Sequence, residues 1–357
     1  MATVNTINTV TINELRTLIP TIGTELTPII QSEPGCGKTS LLHMIREDLG
    51  EGYDYIYVDC PVKDMSDIGM VIPDHTSKTL EYYVADLFKL KSSKPKVILL
   101  DELMKSSKML QIIFTRLLLE RMVGDVPLPA GSIVFGTSNN SSDGVGDSML
   151  AHAGNRVCIV KMAKPTPNEW LAWAGENGIS RAIRAWVSMF PKALASYTDG
   201  NQVDNPYIFK PSSTNLSFCS PRSLAKADVI VRNMDKLGEN ATMCALDGTI
   251  GASASADMSA FLRIEKSLVP FKDILKDPTG VKVPEDIATQ IMVMFQAIDY
   301  IEDQDQLDSF MQFINRIASS EVQAIFFTMA LRNSRTVRIA SRNKSITDWA
   351  TKNHELF

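Results

Sequence analysis

Ser32-Glu33-Pro34-Gly35-Cys36-Gly37-Lys38-Thr39 (SEPGCGKT, 32–39) lies between an apolar run, TPIIQ (27–31), and a helical run over 40–49. A glycine-rich turn between strand and helix that closes on Lys-Thr is built to cradle phosphate. The glycines let backbone N–H groups turn inward, Lys38 reaches the β and γ phosphates, and the Thr39 hydroxyl ligates Mg²⁺. The helix N-terminus adds a favourable dipole. Glu33, Pro34, Gly35, Cys36, Gly37, Lys38, Thr39 and Ser40 are therefore the candidate phosphate-binding residues. Ser32 stands where the pattern usually has glycine. A chance glycine-rich turn would not account for strand, loop, Lys-Thr and helix occurring together.

Four more apolar runs follow: YIYVD (55–59), KVILLD (96–101), SIVFGTS (132–138) and VCIVK (157–161). Strands that are apolar throughout and separated by helical stretches predict a parallel sheet covered on both faces. Residues 1–164 are thus expected to form an α/β domain of the P-loop NTPase class. Lys164-Pro165-Thr166-Pro167 marks a boundary. Beyond it the spacing is helical: Trp170, Leu171 and Trp173, then Ile183, Trp186, Val187 and Phe190, and later Leu307, Phe310, Met311, Ile314 and Ile317. Residues 191–219, rich in Ser, Asn, Pro and Asp, read as a long connection, with a helix starting near Ser223. The second half is expected to be all-α.

The third apolar run ends on Asp101 and Glu102. Phosphoryl transfer needs a metal ligand and a group that orients water. Asp101 can hold Mg²⁺ and Glu102 can polarise the attacking water. The same pair could be two solvated acids at a strand end; the phosphate loop upstream favours the chemical reading. The fourth run ends on Thr137, Ser138, Asn139 and Asn140. Ligands of open α/β sheets sit beyond the carboxyl ends of the strands, where Asn139 could orient a water. Asn-Asn-Ser-Ser is also good turn chemistry. Arg156, before the fifth run, and Arg222, in CSPRSLAKA, could each place a guanidinium on a phosphate. A surface ion pair is the plainer role for either.

Composition narrows the classes. The 357 residues are 45% hydrophobic and 22% charged, which excludes a disordered or collagen-like chain. Lys plus Arg total 36 against 41 Asp plus Glu, a net charge of −5, which argues against non-specific nucleic-acid binding over the whole surface. Five scattered cysteines without a CxxC pair fit a reducing cytoplasm, and no HExxH spacing suggests a second metal. No signal-peptide pattern and no apolar run long enough to span a membrane is expected.

The order SEPGCGKT, VILLDE, GTSNN, GNRV and SPRSL resembles an AAA+ ATPase. More narrowly it is similar to the MoxR group, including its CbbQ/NorQ-like and phage-encoded relatives. LLLERMVGDVPLPAGSIVFGTSNN resembles that group's helix–hairpin–strand segment, and NEWLAWAGENGISRAIRAWVSMFPKAL with CSPRSLAKAD resembles its lid, as does GTIGASASADMSAFL. The resemblance covers roughly residues 25–265 and implies an AAA+ domain over 1–164, a helical lid over 165–275 and a helical extension over 276–357; residues 283–357 carry no assignable motif. It implies ATP as ligand and substrate with Mg²⁺, hydrolysed to ADP and phosphate at a site shared between neighbours in a hexameric ring. Carried over, Lys38 and Thr39 bind phosphate and Mg²⁺, Asp101 and Glu102 are the Walker B pair, Asn139 is sensor 1, Arg222 is sensor 2 and Arg156 is the arginine finger. Arg121 is the weaker alternative for an intersubunit role. DMSDIGMVIPD (64–74) resembles the stretch that faces the ring's pore.

The implied function is a chaperone-like remodeller or assembly factor acting on a protein client, with a von Willebrand A-domain protein as a partner and the cytoplasm as location, the host's if phage-encoded. The alternative is an AAA+ ATPase linked to nucleic acid, as a loader or a phage replication or packaging accessory. Arg332, Arg335, Arg338 and Arg342 fall on one face of a predicted helix, followed by Lys344. Such a stripe could meet nucleic acid or an acidic protein surface, but a solvated face or intersubunit contacts are the plainer reading. A third possibility is a nucleotide-binding scaffold with little turnover; Glu102, Asn139 and Arg222 argue against it.

Overall fold

The computed structural model describes residues 8–140, 156–213, 215–352 and 354. The chain divides into two compact units, 1–164 and 165–357.

The first unit opens with α1 (Ile12–Ile22). A reciprocal cap starts it: Glu14 N–H donates to Thr11 Oγ1 at 3.2 Å, and Thr11 N–H donates to Glu14 Oε2 at 2.7 Å. Then come β1 (Pro28–Ser32), α2 (Ser40–Leu49), β2 (Asp54–Asp59), β3 (Gly69–Asp74), β4 (Thr79–Val84), β5 (Lys96–Asp101), α3 (Lys108–Glu120), β6 (Met122–Val123), β7 (Val126–Pro127), β8 (Ile133–Asn139) and β9 (Cys158–Lys161). Five strands form one parallel sheet in the order β2–β5–β8–β1–β9. These are the five apolar runs of the sequence. The alternation of strand side chains sorts the core into two layers. Ile29, Ile98, Leu100 and Val134 pack with Phe114 and Leu117 of α3. Ile30, Val97, Leu99 and Phe135 pack with Leu15 and Ile19 of α1 and Leu41 and Ile45 of α2. Helices thus cover both faces of the sheet, as expected.

The placement of β1 positions the site. Its register sets Ser32 beside Asn139 on β8, while Asp59 on β2 lies beside Asp101 on β5. The carboxyl ends of β1, β5 and β8 therefore lie together, where the order of strands reverses.

Two hairpins depart from the sheet. β6 and β7 pair as the resemblance implied. β3 and β4 form an antiparallel ribbon that the strand reading did not include. Met70, Val71, Ile72, Leu80 and Tyr83 are exposed on it, so no buried face imposes a regular alternation. Stretch 64–74, expected toward a pore, ends in β3, the first strand of this ribbon. Tyr82 packs onto the β6–β7 turn: a Cβ at Gly124, whose φ is +58°, would lie 2.1 Å from the Tyr82 ring.

Arg121 corrects an expectation. It closes α3 in a left-handed conformation, φ +57°, and its guanidinium turns inward. It donates to Thr27 Oγ1 at 2.8 Å, to Gly23 O at 2.9 Å and to Leu118 O. Committed to three oxygens of its own unit, it is a staple between the ends of α1 and α3 and the start of β1, and unsuited to reach a neighbour.

The second unit is helical: α4 (Pro167–Glu176), α5 (Arg181–Met189), α6 (Pro221–Arg232), α7 (Met234–Ile250), α8 (Ala252–Ser267), α9 (Phe271–Lys276), α10 (Ile287–Tyr300), α11 (Gln304–Ile314), α12 (Ser320–Arg332), α13 (Val337–Ala340) and α14 (Lys344–Lys352). One core runs from Trp170 through Trp186, Phe261, Phe310 and Phe326 to Ile346, so it draws on both the expected lid and the expected extension. Arg184 donates to both carboxylate oxygens of Asp299 at 2.8 and 2.7 Å, and Arg181 bridges Asp299 and Glu265, tying α5, α8 and α10. The basic stripe does not lie on one helix. α12 ends at Arg332, α13 has four residues, and Arg335 in the turn between them donates to the carbonyls of Ile298 and Asp299. No helix among the described residues is long and apolar enough to cross a membrane.

Candidate nucleotide site

The loop between β1 and α2 needs glycine at two points. Gly35 and Gly37 take φ of +79° and +92°, a region that strains any L side chain. Ser32 does not need it: it is the last residue of β1, paired in register with Asn139. Its hydroxyl donates to Glu33 O at 3.1 Å, so serine here serves the loop rather than distorting it. No side chain caps α2, because the Thr39 hydroxyl turns away and donates to Asp101 Oδ2 at 3.0 Å.

Lys38 is buried. Its ammonium donates to Ser32 O at 3.0 Å, Ser32 Oγ at 3.2 Å, Glu33 O at 3.3 Å and Asn139 Oδ1 at 2.8 Å. These four acceptors are neutral oxygens, so an arriving phosphate would offer the ammonium a stronger, charge-assisted partner. Asn139 then passes the contact on: its Nδ2 donates to Glu102 Oε2 at 3.3 Å. Glu102 also pairs with Lys105 at 2.7 Å.

Asp101 gathers three hydroxyls. Thr39 and Tyr57 each donate to Oδ2 at 3.0 Å, and Thr137 donates to Oδ1. Thr39 and Asp101 are hard oxygen donors already in contact, the chemistry Mg²⁺ favours. Burial, and next the Asp101 charge, push the Tyr57 phenol up, so it stays a donor. Below the loop, Glu33 faces Lys164 at 3.5 Å, both side chains almost fully enclosed. Burial pushes the Cys36 thiol up to about 11, leaving it protonated and inert near neutrality.

The structure therefore brings together Lys38, Thr39, Asp101, Glu102 and Asn139, with Glu33, Pro34, Gly35, Cys36, Gly37 and Ser40 forming the loop and the first residue of α2. Arg156 is exposed and takes no part in this hydrogen-bonded cluster. Arg156 lies just before β9, whose first residue pairs with Pro28, the first residue of β1. That is the end of the sheet away from the phosphate loop, so Arg156 is not placed to serve its own chain's site. Gly154 and Asn155, which precede it in the GNRV motif, lie outside the described residues. Arg222 belongs to the second unit, in the first turn of α6, which Ser220 and Ser223 cap reciprocally.

Tyr57, Lys105 and Lys164 were not anticipated. Lys105 carries a readable signal, its three-residue spacing from Glu102. Tyr57 and Lys164 reach the site only through sheet register and loop packing, which no local pattern encodes.

With this geometry in place, comparison with known proteins gives the class. Residues 29–153 match the family described as "ATPase family associated with various cellular activities (AAA)". Among solved structures, the chain is similar to the RuvB Holliday junction branch migration motor of Thermotoga maritima, at 14% identity over 75% of each chain with a TM-score of 0.36. It is also similar to NtrX from Brucella abortus in complex with ADP, at 12% identity over 96% of this chain and 68% of that one, with a TM-score of 0.38. Similarities this distant assign no residue a role. No curated protein matches the chain.

Proposed function

We propose that the chain is a Mg-ATP-hydrolysing ATPase of MoxR type that works as a ring, with 165–275 as lid and 276–357 as a helical extension, and remodels or assembles a protein client. The observation that carries the ATPase reading is the continuous path Lys38–Asn139–Glu102 beside the Thr39–Asp101 contact. One end of this path suits a phosphate, the other a water, and the Thr39–Asp101 oxygens suit Mg²⁺. Bound there, the metal would neutralise charge developing on the phosphates. Lys38 holds the terminal phosphates, Glu102 orients the attacking water, and Asn139 sets the spacing between them.

The exposed position of Arg156, at the far end of the sheet, supports a role in the neighbour's site rather than its own. Arg222 is the sensor 2 candidate. The client reading rests on the MoxR resemblance, the acidic balance and the break in the basic stripe, which together favour a protein over nucleic acid; a von Willebrand A-domain protein is the partner to seek. Light scattering on Glu102→Gln tests the ring. An Mg-ATP-dependent shift to a ring-sized particle that Lys38→Ala does not show supports the proposal. A monomer under all conditions contradicts it.

A further inference from the structure

Glu102 is held in an unusual backbone conformation, φ +53° and ψ +37°, by a hydrogen bond from its N–H to Thr137 Oγ1 at 3.1 Å. Its carboxylate is gripped on one side only. Oε2 takes both the Lys105 ammonium at 2.7 Å and the Asn139 amide at 3.3 Å, while Oε1 has no partner among the described residues. Lys105 ends a short 3₁₀ turn, Leu103–Lys105, that begins directly after Glu102. Leu103 and Met104 anchor that turn in the core, and the Ser106 hydroxyl donates to Leu103 O at 2.7 Å. The turn thus fixes the Lys105 backbone, from which the ammonium reaches Oε2.

We propose that Lys105 is a positioning residue for the reaction, clamping Oε2 so that Oε1 stays open to accept a hydrogen bond from the attacking water. The proposal rests on the reading of this site as one that hydrolyses ATP. The ammonium fixes the carboxylate's orientation. Phosphoryl transfer through a loose transition state asks little proton abstraction of the protein and much positioning, so this orientation matters. Both side chains keep partial access to water, 31% for Lys105 and 25% for Glu102, so the pair contributes little to folding and its role is geometric.

The test is steady-state phosphate release against ATP concentration for the full chain, with nucleotide affinity measured alongside, on wild type, Lys105→Met, Lys105→Arg and Glu102→Gln. Lys105→Met is expected to lower kcat by ~10- to 100-fold. KM, nucleotide affinity and melting temperature stay at wild-type values, and Lys105→Arg recovers most of the rate. A Lys105→Met rate at or above wild type, with Glu102→Gln inactive, overturns the role of Lys105 alone. A raised KM with kcat retained also overturns it, because Lys105 would then touch the substrate. Glu102→Gln turning over like wild type removes the reading of Glu102, and this proposal with it.

Discussion

Lys38 donates to Asn139 at 2.8 Å, a contact between the loop before α2 and the end of β8, 101 residues apart in sequence. The bond uses the Asn139 carbonyl oxygen, which leaves the amide nitrogen for Glu102 at 3.3 Å. One side chain therefore links the cation proposed to hold phosphate with the carboxylate proposed to orient water. Asn139→Ala is expected to lower kcat by ~100-fold, the loss typical of one oriented polar group at a reacting centre, with nucleotide affinity almost unchanged. Stopped-flow binding of a fluorescent ATP analogue, alongside phosphate release, checks this.

Tyr57 supports Asp101 from the neighbouring strand β2 through its 3.0 Å hydrogen bond. A donor behind a metal-binding carboxylate tunes affinity by about 10- to 100-fold. Tyr57→Phe should raise the Mg²⁺ concentration for half-maximal activity by ~10-fold. Nucleotide binding measured in a chelator, and thermal stability, should stay at wild-type levels, since the ring itself is retained.

The fold has its own test in Lys96, whose side chain is fully enclosed at the start of β5. Its ammonium meets Asp54 at 2.6 Å and Ser92 O at 3.0 Å. Asp54→Asn would leave a buried cation without its counter-ion, a loss of about 3 kcal/mol near neutral pH in chemical denaturation. The Lys96 hydrogen bond holds the Asp54 carboxyl below its ordinary value. Its contribution is therefore present above the unfolded-state value and lost as pH falls through the folded one. The wild-type and variant curves should converge in acid.

Gly124 carries the join between the two hairpins. Alanine there would meet the Tyr82 ring at 2.1 Å on a backbone of φ +58°. Gly124→Ala is expected to destabilise the first unit by about 1–3 kcal/mol and to speed hydrogen exchange over 69–84. Gly124→Ala with Tyr82→Ala should recover part of that loss by removing the clash.

Much of the sheet and the centre of the site were legible because each is written locally. The five central strands are continuous apolar runs, and the phosphate loop, Asp101-Glu102 and Asn139 each close one of them. The β3–β4 ribbon was not legible, since its apolar side chains stay exposed and no buried face imposes a period on the sequence. The basic stripe misled because periodicity counts positions and ignores breaks. Asn333 leaves the helix with extended ψ of 128° and accepts from Arg335 N–H at 2.9 Å, turn chemistry that Asn-Ser already suggests. Tyr57 and Lys164 were silent because each acts through tertiary placement rather than a motif.

The loop and strand pair are proposed to bind ATP and hydrolyse it. The most direct measurement pairs nucleotide affinity with phosphate release in wild type, Lys38→Ala and Glu102→Gln. Lys38→Ala is expected to lose binding, while Glu102→Gln keeps wild-type affinity and loses turnover by ~100-fold or more. Equal turnover in all three, or Glu102→Gln hydrolysing at the wild-type rate, would contradict it.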